Sequence, residues 1–94
     1  MIKHEIFPNG SENWCKNDEL HNNKGPAIIE FDGNEFWCKN HKDHRKNGPS
    51  GIYTDGQESW YKKHKLNRKN GPAIIRNNGK EEWYENNKFL WYID

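Results

Sequence analysis

Hydrophobic and polar residues recur along this chain with a fixed period of 23 positions. The recurring glycines are Gly10, Gly33, Gly56 and Gly79, and the recurring tryptophans are Trp14, Trp37, Trp60 and Trp83. A period of this length is the sequence signature of an array of repeated units. We therefore predict a single repeat domain over residues 1–94. Its parts are a partial unit at 2–9, units at 10–32, 33–55 and 56–78, and an atypical C-terminal unit at 79–94.

Each unit contains two segments with the pattern of a β-strand. In the third unit Trp60 and Lys62 fall on one side of the chain, and Ser59 and Tyr61 fall on the other. This alternation predicts a strand. A β-branched segment follows each Gly-Pro pair, and proline suits the start of a strand. The pattern predicts an all-β fold, an open twisted antiparallel meander of roughly eight strands made of three to four hairpin repeats.

An Asn-Gly or Asp-Gly pair joins the predicted strands at four points. These dipeptides are strong hairpin signals, because both residues tolerate the positive φ of a type I′ turn. We predict a type I′ hairpin at Asn9-Gly10, Asp32-Gly33, Asp55-Gly56 and Asn78-Gly79. The segment between each tryptophan strand and the next Gly-Pro pair is polar, and we interpret it as a loop.

The composition indicates a thin core. Hydrophobic and charged residues each make up 31% of the chain, and the mean hydropathy is −1.39, which is close to the composition of disordered proteins. Aromatic residues occupy fixed positions of the period, however, which argues against disorder. We expect a small domain whose core is rich in aromatic side chains.

The sequence contains no apolar run long enough to span a membrane and no signal-like leader. We therefore expect a cytoplasmic protein, in a bacterium or in an infected host cell. The heavy use of Asn and Lys favours an AT-rich genome, such as that of a phage, a large virus or a low-GC bacterium.

Charge is unevenly distributed along the chain. The net charge is +1, but residues 39–69 contain nine Lys and Arg against three acidic residues. The flanking segments 1–38 and 70–94 are acidic overall. A solvated charged face is one interpretation of this basic island, and a site for an acidic partner or a nucleic acid is the other.

The units resemble the MORN repeat and its bacterial and viral variants over residues 6–88. The third unit reads WYKKHKLNRKNGPA from Trp60 to Ala73, an aromatic strand followed by a polar turn, a histidine and a glycine-containing turn. The resemblance implies an elongated twisted sheet of successive hairpins. It also implies protein–protein contacts and, in some members, contacts with membrane lipids. This sequence has Gly-Pro-Ala where the family usually has Gly-x-Gly.

The residues that could carry chemistry fit structural roles better. Cys15 and Cys38 occupy equivalent positions of adjacent units, which places them about 10 Å apart, too far for a disulfide. His41 and His44 are the nearest pair of histidines, and a zinc site needs three or four converging ligands. The glutamates beside the tryptophans recur with the repeat. We therefore expect no enzyme activity, no metal site and no cofactor.

Binding to another protein is the function that the sequence favours, with inhibition of a host factor by a phage or viral protein as one form of it. The partner-binding residues that we predict are Lys42, His44, Arg45, Lys62, Lys65 and Arg68. The tryptophan row, meaning Trp14, Trp37, Trp60 and Trp83, forms either the core or an interface. The alternative is a nucleic-acid or acidic-surface binder that uses the same basic residues. A third interpretation is a self-associating module, with homodimer contacts through Phe89, Leu90, Trp91 and Tyr92.

Overall fold

The computed structural model describes residues 2–93, which form β-strands and turns with no helix in that range. Four strands are five or six residues long, namely β1 Ile2–Ile6, β2 Glu12–Lys16, β13 Glu81–Glu85 and β14 Lys88–Ile93, and β3 Glu19–Leu20 is a two-residue strand beside β2. The two-residue strands between them are β4 Ile28–Ile29, β5 Glu35–Phe36, β6 Cys38–Lys39, β7 Lys42–Asp43, β8 Gly51–Ile52, β9 Glu58–Ser59, β10 Tyr61–Lys62, β11 Lys65–Leu66 and β12 Ile74–Ile75.

The main sheet is antiparallel and open. Nine strands follow one another in the order β1-β2-β4-β5-β8-β9-β12-β13-β14, with β3 paired to β2 at the side. Strands β6 and β7 form a separate pair, as do β10 and β11. The molecule measures 39 × 24 × 16 Å, which fits a sheet that extends along one direction. The predicted all-β open meander is confirmed.

The Asn-Gly and Asp-Gly pairs do form hairpins, but the predicted turn type is wrong. Gly10 has a φ of 93° and Asn9 has no positive φ, whereas a type I′ turn needs positive φ at both central residues. Gly10 N–H donates to the Phe7 carbonyl, and Phe7 N–H donates to the Ser11 carbonyl, each at a distance of 2.9 Å. This is the pattern of a type I turn followed by a bulged glycine. The Asn9 side chain stabilises it by accepting from Ser11 N–H at 2.9 Å.

Type I′ geometry occurs instead at the tips of the polar segments that we interpreted as loops. Both residues at each tip have positive φ, in the pairs Asn17-Asp18, Asn40-His41, Lys63-His64 and Asn86-Asn87. Strand partners lie directly on either side of these pairs, for example Lys62 opposite Lys65. Each polar segment is therefore a second, short hairpin. We call these four hairpins the arms: β2–β3, β6–β7, β10–β11 and the first part of β13–β14.

Lys63 and His64 lie in a backbone region that favours glycine and asparagine. Their φ angles are 50° and 69°, and a side chain in this region costs about 1 kcal/mol or more. We expect Lys63→Gly to raise the free energy of unfolding by roughly 0.5–1 kcal/mol, because glycine removes that strain. Lys62→Gly is the matched control. It lies in β10 and should lower stability, since glycine weakens a strand. Urea unfolding of the three proteins checks this, and equal effects at both positions would contradict it.

Tryptophans lie next to buried small residues in the backbone pairing of the main sheet. Each of the first three tryptophans donates its backbone N–H to the carbonyl of a small residue, in the pairs Trp14–Ala27, Trp37–Ser50 and Trp60–Ala73. The three small residues are 2% exposed or less, whereas the four tryptophans of the tryptophan row are half-buried. The small side chains leave room beside each indole, so a thin sheet can still bury aromatic surface.

At both ends of this row a planar ring stacks on the terminal tryptophan. His4 of β1 is paired with Trp14, and the two ring centroids lie 4.2 Å apart at 9°. Glu12 holds His4 in place through a 2.7 Å bond to Nε2. Trp91 of β14 is paired with Trp83, with ring centroids 5.4 Å apart at 22°. The rings cover faces of Trp14 and Trp83 that would otherwise meet water.

Candidate binding groove

Arginines cover the two inner tryptophans. The guanidinium carbon of Arg45 lies 3.8 Å from the ring centroid of Trp37, and that of Arg68 lies at the same distance from Trp60. Each arginine also donates to a proline carbonyl in its own loop, Arg45 to Pro49 at 3.1 Å and Arg68 to Pro72 at 3.2 Å. These two predicted partner-binding residues thus already have ring and carbonyl partners within the chain.

The glycine before each proline provides the space for the arginine. A Cβ at Gly48 would lie 2.7 Å from the guanidinium carbon of Arg45. A Cβ at Gly71 would lie at the same distance from the guanidinium carbon of Arg68. In the first unit Asn22 replaces the arginine and donates to the Pro26 carbonyl at 3.0 Å. The glycine of each Gly-Pro pair therefore leaves room for a polar side chain that bonds to the proline carbonyl of the same loop.

The arms stack on one another through their turn tips. His64 N–H donates to the Asp43 carbonyl at 2.8 Å, and His64 Nδ1 lies 3.1 Å from the Asp43 carboxylate. Lys63 N–H donates to Nδ1 of His44 at 3.1 Å. Two equivalent hydrogen bonds join the other arms. Asn40 N–H donates to His21 Nδ1, and Asn86 N–H donates to Asn67 Oδ1, each at 3.1 Å. The acceptors are in the preceding arm, so these residues join arms rather than acting only within their own turns.

His44 is held in the form that accepts this bond. Burial, and the positive charges of Lys39, Lys62 and Lys63, lower the pKa of His44 below its ordinary value. At neutral pH its ring is therefore neutral, and Nδ1 can accept the hydrogen bond that Lys63 N–H donates. His44 is half-buried between arms, so its role in the structure is to set the position of the Lys63 backbone.

The stacked arms leave a basic groove between the third arm and the C-terminal strand. Its volume is about 1110 Å³. The described cationic residues that line it are Lys42, Lys62, Lys63, Lys65, Arg68 and Lys69, and the acidic one is Glu85. The apolar part of its lining is Trp83, Leu90 and Trp91. The groove therefore combines a strong positive charge with an aromatic wall.

The basic groove contains four of the six predicted partner-binding residues, Lys42, Lys62, Lys65 and Arg68. His44 and Arg45 both line a smaller cavity of about 340 Å³. Arg45 also lines a second one of about 380 Å³. Lys63 and Lys69 also line the groove and lie in the basic island, but they are not among the predicted partner-binding residues. The role predicted for Leu90 and Trp91 is self-association only, because no periodic signal in the sequence places β14 beside the third arm.

The two cysteines are free thiols. Cys38 is buried, and this burial, with a contribution from the Asp43 charge, raises its pKa to about 11. A thiol in this state is a packing residue rather than a nucleophile. Among residues 2–93 there is also no cluster of three or more His, Cys, Asp or Glu side chains suited to a metal ion.

The fold and the groove define an open antiparallel β-meander with a basic, aromatic-walled cleft at one end. Comparison with known proteins finds no matching family model, no matching curated protein and no matching solved structure. None of the described segments is a helix of the length and apolarity that crossing a membrane requires.

Proposed function

We propose that this chain is a non-enzymatic, MORN-like repeat module that binds another protein by taking an acidic, partly hydrophobic segment of it into the basic groove. The observation that supports this most directly is the lining of the groove, in which six cationic side chains surround one carboxylate and an aromatic wall. The 23-residue spacing of the turns, the tryptophans and the loop arginines supports the repeat assignment.

The charge of the groove selects an acidic ligand. Lys42, Lys62, Lys63 and Lys65 are exposed and lie on two adjacent arms. Hydrogen bonds between the arms keep these like charges close together, so their fields add over the groove. A segment with Asp or Glu residues would relieve the repulsion between the lysines.

The aromatic wall favours a protein segment over a nucleic acid. Trp91 is 51% exposed and stacks on Trp83, so an apolar side chain can pack beside the pair. Aromatic anchors of this kind dominate the energy of protein interfaces. By contrast, Arg45 and Arg68 already cover the rings of Trp37 and Trp60, which reduces the surface available for stacking successive bases.

Reversing two charges of the groove should weaken binding strongly. We expect Lys62→Glu combined with Lys65→Glu to lower the affinity for a labelled peptide of alternating Glu and Leu with one Trp by about tenfold or more, since both attraction and steering are reversed. Fluorescence anisotropy measures this. Lys16→Glu with Lys24→Glu is the matched control, because both lysines are exposed and lie outside the groove.

The same titration decides between the two classes of partner. A single-stranded oligonucleotide serves as the second probe, and each probe is measured at low and high salt. Peptide binding that weakens with salt but persists at high salt supports the protein-binding proposal, because salt screens the lysines but not the apolar anchor. Tighter binding of the oligonucleotide, with an affinity that falls steeply with salt, would overturn it in favour of nucleic acid. Equal affinity of the groove and control variants for the peptide would also overturn it.

A further inference from the structure

The last strand of the sheet has an apolar and unpaired edge. Strand β14 pairs with β13 on one side and ends the strand order of the described sheet. Its five consecutive apolar and aromatic residues, Phe89 to Ile93, are between 39% and 64% exposed. An edge of this kind is a template for pairing with another strand, and proteins usually protect it with charges or proline.

The opposite edge of the sheet has such protection. Strand β1 has the sequence Ile2-Lys3-His4-Glu5-Ile6, with charged residues at its second and fourth positions. Strand β14 has one charge, Lys88, at its beginning. Joining β14 of one copy to β1 of another would place charges against the apolar strand. The asymmetry between the edges favours pairing of β14 with a second β14.

A bulge makes β14 complementary to itself. The register of β14 shifts between Trp83 and Tyr84 of its partner strand, where Leu90 is the extra residue. As a result Leu90 and Trp91 both line the basic groove on one face. Phe89 and Tyr92 lie together on a different surface, with ring centroids 6.4 Å apart.

A twofold axis perpendicular to the sheet keeps each face on its own side. In antiparallel pairing, residues that are directly opposite share a face. The register that places Phe89 opposite Tyr92 of the second copy also places Leu90 opposite Trp91, so every pair matches in face. A shift by one residue would place Leu90 opposite Tyr92, which are on different faces.

We propose that the partner of this edge is a second copy of the chain, joined antiparallel through β14 in the register that pairs Phe89 with Tyr92. The two main sheets then form one continuous sheet with a twofold axis at its centre. This homodimer is a property beyond the proposed groove function. Edge pairing leaves both faces open, so the two basic grooves lie side by side on the same face.

The interface is small for a stable complex. A specific dimer usually buries about 1,200 Å² or more in total, and six-residue strands paired edge to edge bury less than typical interfaces do. We therefore expect a reversible dimer that forms in the micromolar range of concentration. Its formation should show as a rise of the average mass from 11.3 kDa toward twice that value as concentration increases.

Charge-swap variants test both the partner and the register. Phe89→Lys with Tyr92→Lys places like charges directly opposite each other in two pairs, and Phe89→Glu with Tyr92→Glu does the same with acids. Each variant alone should stay monomeric in sedimentation velocity. An equimolar mixture should restore the dimer, because each introduced lysine then meets a glutamate. Ile6→Lys with Phe31→Lys is the control, since both residues are about 70% exposed and lie away from β14.

Several outcomes would overturn the proposal: a wild-type protein that stays monomeric at every concentration, charge variants that still dimerise, a mixture that does not associate, or a control that loses the dimer. Far-UV circular dichroism checks folding, and the single change Tyr92→Lys at a 64% exposed residue replaces the double variants if they fail to fold. Peptide affinity measured on the monomeric variants is independent of this result, so failure of the dimer leaves the groove proposal separately testable.

Discussion

Replacing Trp60 with alanine is expected to lower the free energy of unfolding by about 3 kcal/mol, the low end for a buried tryptophan. Trp60 is half-buried in the tryptophan row and carries the guanidinium of Arg68 on its face. Its removal opens a gap beside Ala73 and leaves Arg68 without its ring partner. A domain of this length has a total stability on the order of 5–15 kcal/mol, so the loss is a large share.

The matched control for this change is Phe31→Ala. Phe31 is also aromatic but is 71% exposed, so its replacement should change stability by about 0.5 kcal/mol or less. Chemical unfolding followed by circular dichroism measures both variants. If the two replacements destabilise the protein equally, the tryptophan row is not the core of the sheet. The ring N–H of Trp60 has no hydrogen-bond partner among the described residues, which keeps its net contribution below that of a fully satisfied indole.

The second large effect is expected at the glycines that face the loop arginines. Gly71→Ala should destabilise the protein by roughly 1–2 kcal/mol, because the new Cβ displaces Arg68 from both Trp60 and the Pro72 carbonyl. Arg68 is flexible enough to move away, so the expected loss is that of its two contacts rather than of the fold. The backbone itself accepts alanine there, since φ at Gly71 is not positive.

Gly25→Ala provides the matched comparison. The nearest atom to a Cβ at Gly25 is 3.6 Å away, on Asn22, so alanine fits and should stabilise by about 0.4–1 kcal/mol through the unfolded state. In an Arg68→Ala background, Gly71→Ala should become stabilising in the same way. A double-mutant cycle measured by urea unfolding checks this, and a Gly71→Ala effect that persists without the arginine would contradict the mechanism.

The sequence predicts the sheet well because its signals are local. The alternation around Trp60 and the glycine at position 56, with its φ of 97°, place strands and turns without knowledge of the rest of the molecule. The third type I′ tip is different, because the other three contain asparagine. Lys63 and His64 carry no glycine or asparagine signal, and their positive φ is held by bonds to His44 and Asp43 of the preceding arm. Such a turn depends on tertiary contacts, which the local sequence does not display.

The candidate site is only half visible in the sequence for a similar reason. The lysines of the groove lie in the basic island, so counting charges finds them. The aromatic wall of the groove cannot be predicted from the 23-residue period, because the last unit has no Gly-Pro loop. Strand β14 instead continues from the last arm into the main sheet. Trp91 therefore stacks on the ring of Trp83, just as the Arg68 guanidinium lies over the ring of Trp60. Sequence alone also cannot show that Arg45 and Arg68 are engaged within the chain.

The bonds between successive arms have a consequence for how quickly the chain reaches its native state. Each of these bonds spans only 19 to 21 residues of sequence. Folding rates fall as the mean sequence separation of native contacts grows, and most all-β proteins fold slowly because their strands come from distant segments. Here each arm is bonded to the arms next to it in sequence. The sheet can nucleate at any hairpin and extend toward both termini, without closing a long loop at any step.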